Sequence, residues 1–491
     1  MGWLAARRAG GVCSLPTGLP LDRLPASAPV PDSIAHMFDH DRAVTEPADL
    51  LAARRARFLE QIGSGVALLP AAPELLRSRD TEVRFHQDHD LYYLTGFPEP
   101  DAVAVLTPHH EEHRFILFVR PRDPDRERWA GPRFGVEGAR ERFAADVAYP
   151  IDELEERLPD LLTPADRIFF ALGTDEEMDR MVVDQLARFR ASRPRKGTGP
   201  VAIEDPGEIL GRMRLVKDGV EIERMRVAAR ITAAGHRAAM AAAVPGLGEW
   251  ALEAALEHAF RESGGGGPAY PPIVASGANA TVLHYVSNDR RIGDEDLVLI
   301  DAGAEYGMYA SDITRTFPAS GHFTESQREI YDIVLRALEA SIAAVQPGEG
   351  ADAPHRAAVK TLSEGLIELG VIEGPLDDAL EDERYKPFFM HRTSHWLGMD
   401  VHDVGPYREG DDEVTLGPGM VLTLEPALYF PEDLETTPDR YRGIGIRIED
   451  VALVTEGGCE LLTRDVPVDA EEVEALVGGG DRDPGSGVRG P

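Results

Sequence analysis

One order of elements is read twice between residues 218 and 454, and it constrains the fold more than any other feature of this 491-residue chain. Asp218 with Glu221 forms a capping box, which opens a helix running to about Val244. A second helix carries Leu252, Leu256 and Phe260 at i, i+4 and i+8, one apolar face. Short apolar runs near 272–276, 297–301 and 309–317 then predict strands. Thr324 with Gln327 opens a third helix whose stripe is Ile330, Val334, Leu338, Ile342 and Val345. A fourth covers about 352–369, and strands return near 419–425 and 445–454. The halves share no visible sequence identity, but the repeated order predicts a duplicated α/β unit in which each half contributes to one site.

From Glu46 to about Asp205 the rhythm differs. A helix over 47–62 precedes "GVALLP", "YYLTGF", "AVAVLTP", "FILFV" and "IFFALG", apolar runs punctuated by Gly and Pro that read as buried strands. This makes a separate α/β domain, and "RKGTGPVAIEDPGE" (195–208) reads as the linker. The expected division is a disordered extension over 1–45, an amino-terminal α/β domain over 46–205, a second domain over 206–472 and a flexible tail over 473–491. The extension has no apolar h-region before a small-residue cleavage site, so it is not read as a signal peptide.

A net charge of −35 excludes a nucleic-acid binder, which needs a basic surface, and predicts repulsion from anionic membrane. No run of 18 apolar residues predicts a membrane span. Two cysteines, Cys13 and Cys459, form no disulfide framework, and a reducing cytoplasm fits that usage.

Acids interrupt the apolar strands of the second domain. "DLVLIDAG" ends on Asp301, "YASDITRTF" opens with Asp312, and a turn at "EYGM" folds the two segments back as a hairpin. Antiparallel neighbours lie about 5 Å apart, so both carboxylates can reach one point. "MVLTLEP" carries Glu425 and "GIGIRIEDVALV" carries Glu449, again one acid per apolar strand, while "MHRTSHWLGMDVHDVG" between them offers His391, His395 and His402.

A single acid at a strand end is ordinarily a solvated cap. Four arranged two and two are harder to treat so, because unit charges 4 Å apart repel by about 4 kcal/mol at an effective dielectric of 20. Either their pKa values rise or divalent cations sit among them, and two such cations balance four carboxylates. An oxygen-rich set with imidazole suits Mn²⁺, Co²⁺ or Zn²⁺ better than a structural zinc, which prefers Cys and His. Two metals can share a bridging water and clamp an oxyanion, so metal-assisted hydrolysis is the expected reaction class.

"TVLHYVSN", "LVLIDAGAEYGMYASDITRTFP", "SHWLGMDVHDVG", "MVLTLEPALYF" and "YRGIGIRIED" resemble, in order, the blocks of the bacterial Xaa-Pro aminopeptidases (aminopeptidase P). The resemblance covers about 48–470, including "HDLYYLTGFPEPDAVAVL". It implies a creatinase-like amino-terminal α/β domain and a carboxy-terminal pita-bread domain with pseudo-twofold halves. The implied activity is release of an N-terminal residue from a following proline by a metal-bridging water or hydroxide, with Mn²⁺ the expected metal and Co²⁺ or Zn²⁺ possible substitutes. By the resemblance Asp301 chelates one ion, His395 and Glu425 the other, and Asp312 and Glu449 bridge both. Glu425 also takes the water's proton, His284 faces the scissile carbonyl, His402 holds the substrate peptide and His391 lines the leaving side. Arg447 and Tyr429 orient the ligands. Asp90 and Trp129 match positions that approach a neighbouring subunit's site, which implies a homo-oligomer, dimer or tetramer.

The chain departs from the family at "HRTSH" (391–395), where His-Gly-Leu-Ser-His is common: Arg392 stands beside the site and is placed to meet a substrate carboxylate. Ala427 replaces a usual Gly. An X-Pro bond lacks an N–H and its ring fixes φ, so the site needs a pocket for the ring, for which Tyr270, His391 and Trp129 are candidate walls. The alternatives are a prolidase restricted to dipeptides, a metal-free creatinase-type hydrolase and a non-catalytic peptide-binding module. Three features are set aside: "HHEEH" (109–113) as a hairpin tip, His86 and His89 as surface residues, and "SGGGGP" (263–268) as a helix stop and mobile loop.

Overall fold

Strands that are apolar at every position must be covered on both faces, and "GVALLP" and "FILFV" are. In the computed structural model, which describes residues 46–110 and 112–479, they belong to a six-stranded sheet. Its order is Val147–Pro150, Phe115–Val119, Val103–Leu106, Val66–Pro70, Arg167–Phe169 and Ala202–Glu204. The pairs at the centre are antiparallel and the outer ones parallel. Ala67, Leu69, Leu117 and Val119 face Phe58, Ile62 and Leu91, while Val66, Leu68, Ile116 and Phe118 face Leu158, Met178 and Val182. The first of these cores continues through Met225, Tyr309, Leu397 and Val421, so the two domains share apolar packing.

The duplicated order is realised as two helix pairs on two sheets. Helices Gly219–Ala242 and Glu249–Glu262 bury Ile231, Leu252, Leu256 and Phe260 against Val274, Val298, Ile300 and Phe317 of the sheet Ile273–Ser276, Leu297–Asp301, Thr314–Pro318. Helices Glu325–Ala344 and Ala353–Glu368 bury Ile330, Val334 and Leu362 against Leu422, Leu424 and Val454. Their sheet is Val421–Leu424, Asp450–Thr455, Gly458–Leu461. Both predicted capping boxes are formed, at Asp218 and at Thr324.

Several expectations are corrected. "YYLTGF" is not a strand: Tyr92–Thr95 end the helix His89–Thr95, whose N-cap Asp88 accepts from the Leu91 N–H and whose C-cap Gly96 is left-handed. The predicted linker contains the edge strand Ala202–Glu204 and begins inside the helix Glu176–Lys196. The helix Ala470–Leu476 runs into the predicted tail, with Val473 and Val477 buried, and the extension 1–45 and residues 480–491 lie outside the described residues. "SGGGGP" is tied down: Gly267–Pro268 pairs with Ala304–Tyr306, and Gly266 N–H donates to Glu305 O. His89 is not simply a surface group but bonds Asp400 at 2.8 Å across the two domains. Val103–Leu106 and Phe115–Val119 form a hairpin, and His110 and His113 stack near its end. No helix among the described residues is long and apolar enough to cross a membrane.

Candidate metal centre

Each candidate acid sits where a strand ends or breaks. Leu297–Asp301 pairs with Thr314–Pro318 in a register that sets Asp301 opposite Thr314. Between them the chain folds a smaller hairpin, Ala304–Tyr306 on Tyr309–Ala310. The step between the two hairpins passes Gly303, where a Cβ would fall 1.6 Å from the Ser311 carbonyl oxygen. That approach admits only glycine, and it drops Asp312 out of the ladder. The predicted 309–317 strand is therefore two short pieces with Asp312 in the gap. In the second half Glu425 follows Val421–Leu424, and Glu449 falls between Ile444–Arg447 and Asp450–Thr455.

Backbone pairing joins the two halves at the acids. Glu449 N–H donates to Thr314 O at 3.0 Å, and the Thr314 hydroxyl donates to Glu449 Oε2 at 2.7 Å. Arg315, fully buried, donates to Glu449 O at 2.6 Å and Asp450 Oδ1 at 2.8 Å. Segment 393–395 runs beside Glu425's strand, through Thr423 N–H to His395 O at 2.9 Å and Glu425 N–H to Thr393 O at 2.8 Å.

The His395 ring has one assignable tautomer. Nδ1 lies 3.0 Å from Trp396 O, and a carbonyl only accepts, so Nδ1 carries the proton. The Nε2 lone pair then faces Asp312 Oδ2 at 3.6 Å and Glu425 Oε1 at 3.9 Å. Burial holds its pKa down to about 4, which keeps the ring neutral. Asp312, His395 and Glu449 each offer a ligand atom within 4.8 Å of the others. Burial pushes the carboxyls of Asp312, Glu425 and Glu449 well above their usual range. Neighbouring acids add to this: Asp301 at Asp312, Glu449 at Glu425, Asp312 and Asp301 at Glu449. Acids crowded in this way hold protons or cations. An oxygen-rich donor set with one neutral imidazole fits divalent metal ions.

Around the acids runs a second layer. Arg447 is buried and donates to Asp301 Oδ2, to the Tyr429 hydroxyl at 2.7 Å and to Thr314 Oγ1 at 3.2 Å. Burial opposes its charge, but Tyr429, Asp301, Glu425 and Glu449 outweigh that and keep it protonated. The Tyr429 hydroxyl, accepting from Arg447, lies 3.0 Å from His391 Nε2, while His391 Nδ1–H donates to Arg392 O at 2.8 Å. His391 is thus a neutral ring fixed at both nitrogens, with burial and then Arg447 lowering its pKa to about 4.

A cavity of about 890 Å³ opens onto these groups. The acids, His395, Arg447, His284, His391, His402, Tyr270 and Arg392 all line it. His284 and His402 are exposed on its wall, and the His402 ring stands edge-on to His395 at 4.4 Å. Arg392 is ion-paired with Asp352 at the rim.

Three expected residues lie off this chain's own cavity, two of them expected at a neighbouring copy's site. Tyr429 is fully buried behind His391, because its hydroxyl is drawn to Arg447. Asp90 is held 2.8 Å from Arg214, and Trp129 is 93% exposed on a helix of the first domain. Tyr270 does line the cavity, but its hydroxyl bonds Asp301 Oδ1 at 2.7 Å and also Asp312, so it braces the acids as well as walling the pocket. Thr314, Thr423 and Arg315 were not singled out in the sequence. The only available signal was the pairing register, which sets Thr314 opposite Asp301.

Residues 223–456 match the profile of metallopeptidase family M24, and residues 51–169 match the aminopeptidase P N-terminal domain. The Xaa-Pro aminopeptidase of Escherichia coli (strain K12) is 44% identical over 426 residues, 86% of this chain and 96% of that protein. The structure of Pseudomonas aeruginosa aminopeptidase PepP superposes with a TM-score of 0.86 at 45% identity, covering 89% of this chain and 99% of that one. A zinc-substituted E. coli aminopeptidase P in complex with product gives a TM-score of 0.85 at 42% identity, covering 89% and 100%.

Proposed function

The chain belongs to metallopeptidase family M24, as a bacterial aminopeptidase P, and on that premise we propose that Asp301, Asp312, His395, Glu425 and Glu449 hold two divalent cations. The family and the relatives make it a metal-dependent Xaa-Pro aminopeptidase, a hydrolase. The observation that carries the finer reading is the meeting of Asp312, His395 and Glu449, from separated segments, within 4.8 Å. Asp301, Asp312, Glu425 and Glu449 would supply the carboxylate donors and His395 the one imidazole.

Cations bound there supply Lewis acidity and lower the pKa of a water. The chain's own side chains do the rest. Glu425, a carboxylate at the end of Val421–Leu424 beside the site, would accept the water's proton and deliver it to the departing proline nitrogen. His284 donates to the carbonyl oxygen as charge develops on it. His402, beside His395, bonds the substrate backbone. His391, fixed in orientation by Tyr429 and Arg392, forms the leaving-side wall against which the proline ring packs. Arg447 holds Asp301, so that removing it misplaces a ligand and not a substrate contact.

Peptides longer than two residues are the favoured substrates over the prolidase reading. Val286 and Tyr407 line the cavity yet remain exposed, at 53% and 42%, which leaves apolar surface outward of the reacting bond for further residues. Mn²⁺ is the proposed metal, with Co²⁺ or Zn²⁺ competent. The nearly bare Trp129 indole fits a contact with a second copy of this chain, so a homo-oligomer is proposed, working in the cytoplasm. Elemental analysis combined with hydrolysis of Ala-Pro and Ala-Pro-Ala tests the proposal. Two metal equivalents and cleavage of the tripeptide are expected; activity on the dipeptide alone would make the enzyme a prolidase.

A further inference from the structure

His284 is exposed, and its ring makes no hydrogen bond among the described residues. Without such a bond, the ring takes its place chiefly from the backbone either side. That backbone is the connection between Ile273–Ser276 and Leu297–Asp301, and it is gathered onto one side chain outside the cavity. Glu249, in the first turn of Glu249–Glu262, is fully buried. Its Oε1 accepts from Ser276 N–H and the Ser276 hydroxyl, both at 2.7 Å, and from Asn279 Nδ2 at 3.3 Å. Its Oε2 accepts from the Tyr285 hydroxyl at 2.9 Å and Arg290 N–H at 2.8 Å.

All five donors come from 276–290, and His284 is next to one of them. Tyr285 points away from the cavity: its ring packs on Ile273, Ala275, Ala280 and Leu299 while its hydroxyl reaches Glu249. The same hydroxyl lies 3.0 Å from Asp289, and with burial these two carboxylates push its pKa up to about 12, so it stays a donor. The turn Gly277–Thr281 also lies against the other half of the domain. A Cβ on Gly445 would fall 2.1 Å from Ala280 O, so the contact needs glycine. The connection is therefore fixed relative to both pairs of acids.

We propose that Glu249, acting through Tyr285, is a positioning residue that sets His284 against the reacting carbonyl; this rests on the reading of His284 given above. Tyr285→Phe keeps the packed ring and removes the hydroxyl. A displacement of about 1 Å at a catalytic group can cost up to roughly 100-fold, so a fall in kcat of about tenfold is expected, with KM within about twofold and metal content unchanged. Glu249→Gln turns an amide NH₂ toward the Arg290 N–H or the Ser276 donors, and a larger fall in kcat is expected.

The deciding measurement is a double-mutant cycle. In a His284→Ala background, where kcat is expected to be down by about 100-fold, Tyr285→Phe should change kcat by less than about twofold, because no imidazole remains to be placed. Full kcat in Tyr285→Phe overturns the inference, as does the same tenfold loss with and without His284. Full turnover in His284→Ala overturns the role of His284 itself, and this inference with it.

Discussion

Beneath the first pair of acids, His236 offers a quantitative test. It is fully buried, with Nε2 3.1 Å from the carbonyl oxygen of Ala302, the residue after Asp301. Because a carbonyl only accepts, Nε2 carries the proton, and Nδ1 meets no partner among the described residues. A second proton would create a buried cation beside Arg315. Burial, with Arg315 adding to it, holds the pKa down from 6.5 to about 4, despite Ala302 O and Asp301 pulling the other way. The folded-state value is the depressed one, so between about pH 6.5 and 4 the unfolded chain binds more protons. Stability contributed by the neutral ring is complete above that window and lost as pH falls through it. At 1.36 kcal/mol per unit the loss is ~3 kcal/mol by about pH 4. His236→Gln keeps an N–H for Ala302 O and cannot titrate. Urea unfolding of both proteins at steps from about pH 7.5 to 4, at one metal concentration and followed through the buried Trp396, isolates the effect, because every other titrating group is common to both. The wild-type-minus-variant stability should fall by ~3 kcal/mol across the window. A difference that stays flat would refute the argument.

Three further predictions concern the acids. Asp312→Ala should lose both metal and turnover, read by elemental analysis and peptide cleavage; an active, metal-free variant would refute the site. Arg447→Met leaves Asp301 and the Tyr429 hydroxyl without their donor, and breaking a buried pair costs about 3–5 kcal/mol. The metal-free variant should unfold at markedly lower urea than metal-free wild type, and equal midpoints would refute the pairing. Removing metal should reverse the usual acid sensitivity around the site. The raised carboxyls of Asp312, Glu425 and Glu449 bind more protons folded than unfolded, so their contribution is complete below the unfolded carboxylate range and lost as pH rises through the folded values. Because the neutral buried histidines act in the opposite sense in both forms, the comparison is between them: the stability of metal-free protein relative to Mn²⁺-saturated protein should fall toward neutral pH, and an unchanging difference would refute it.

What could be read from the sequence followed from interactions that are local along the chain. Asp218 with Glu221 and Thr324 with Gln327 mark helix starts because a capping box closes within four residues. Leu252, Leu256 and Phe260 are all fully buried because one helical face meets one sheet. "YYLTGF" misled because six largely buried residues carry no periodicity, although Asp88, four residues before it, and Gly96, within it, are the caps that decide it. The acids and histidines of the site stood out as polar groups among apolar ones. Their supports did not: Thr314, Thr423, Arg315 and Glu249 look ordinary until the pairing of distant strands sets each opposite its partner. Tyr429, expected to help orient the ligands, bonds Arg447 behind the cavity, while the expectation for Asp90 and Trp129 concerns a neighbouring copy of the chain.

The bond between Thr314 and Glu449 spans 135 positions of chain, and that separation bears on how the enzyme is loaded during synthesis. A ribosome-bound chain that has released Asp301 and Asp312 still lacks His395, Glu425 and Glu449, three of the five proposed ligands. Only after Glu449 emerges and the later half docks do Asp312, His395 and Glu449 come within 4.8 Å of one another. On the proposed ligand set, the choice of metal would fall to the finished protein.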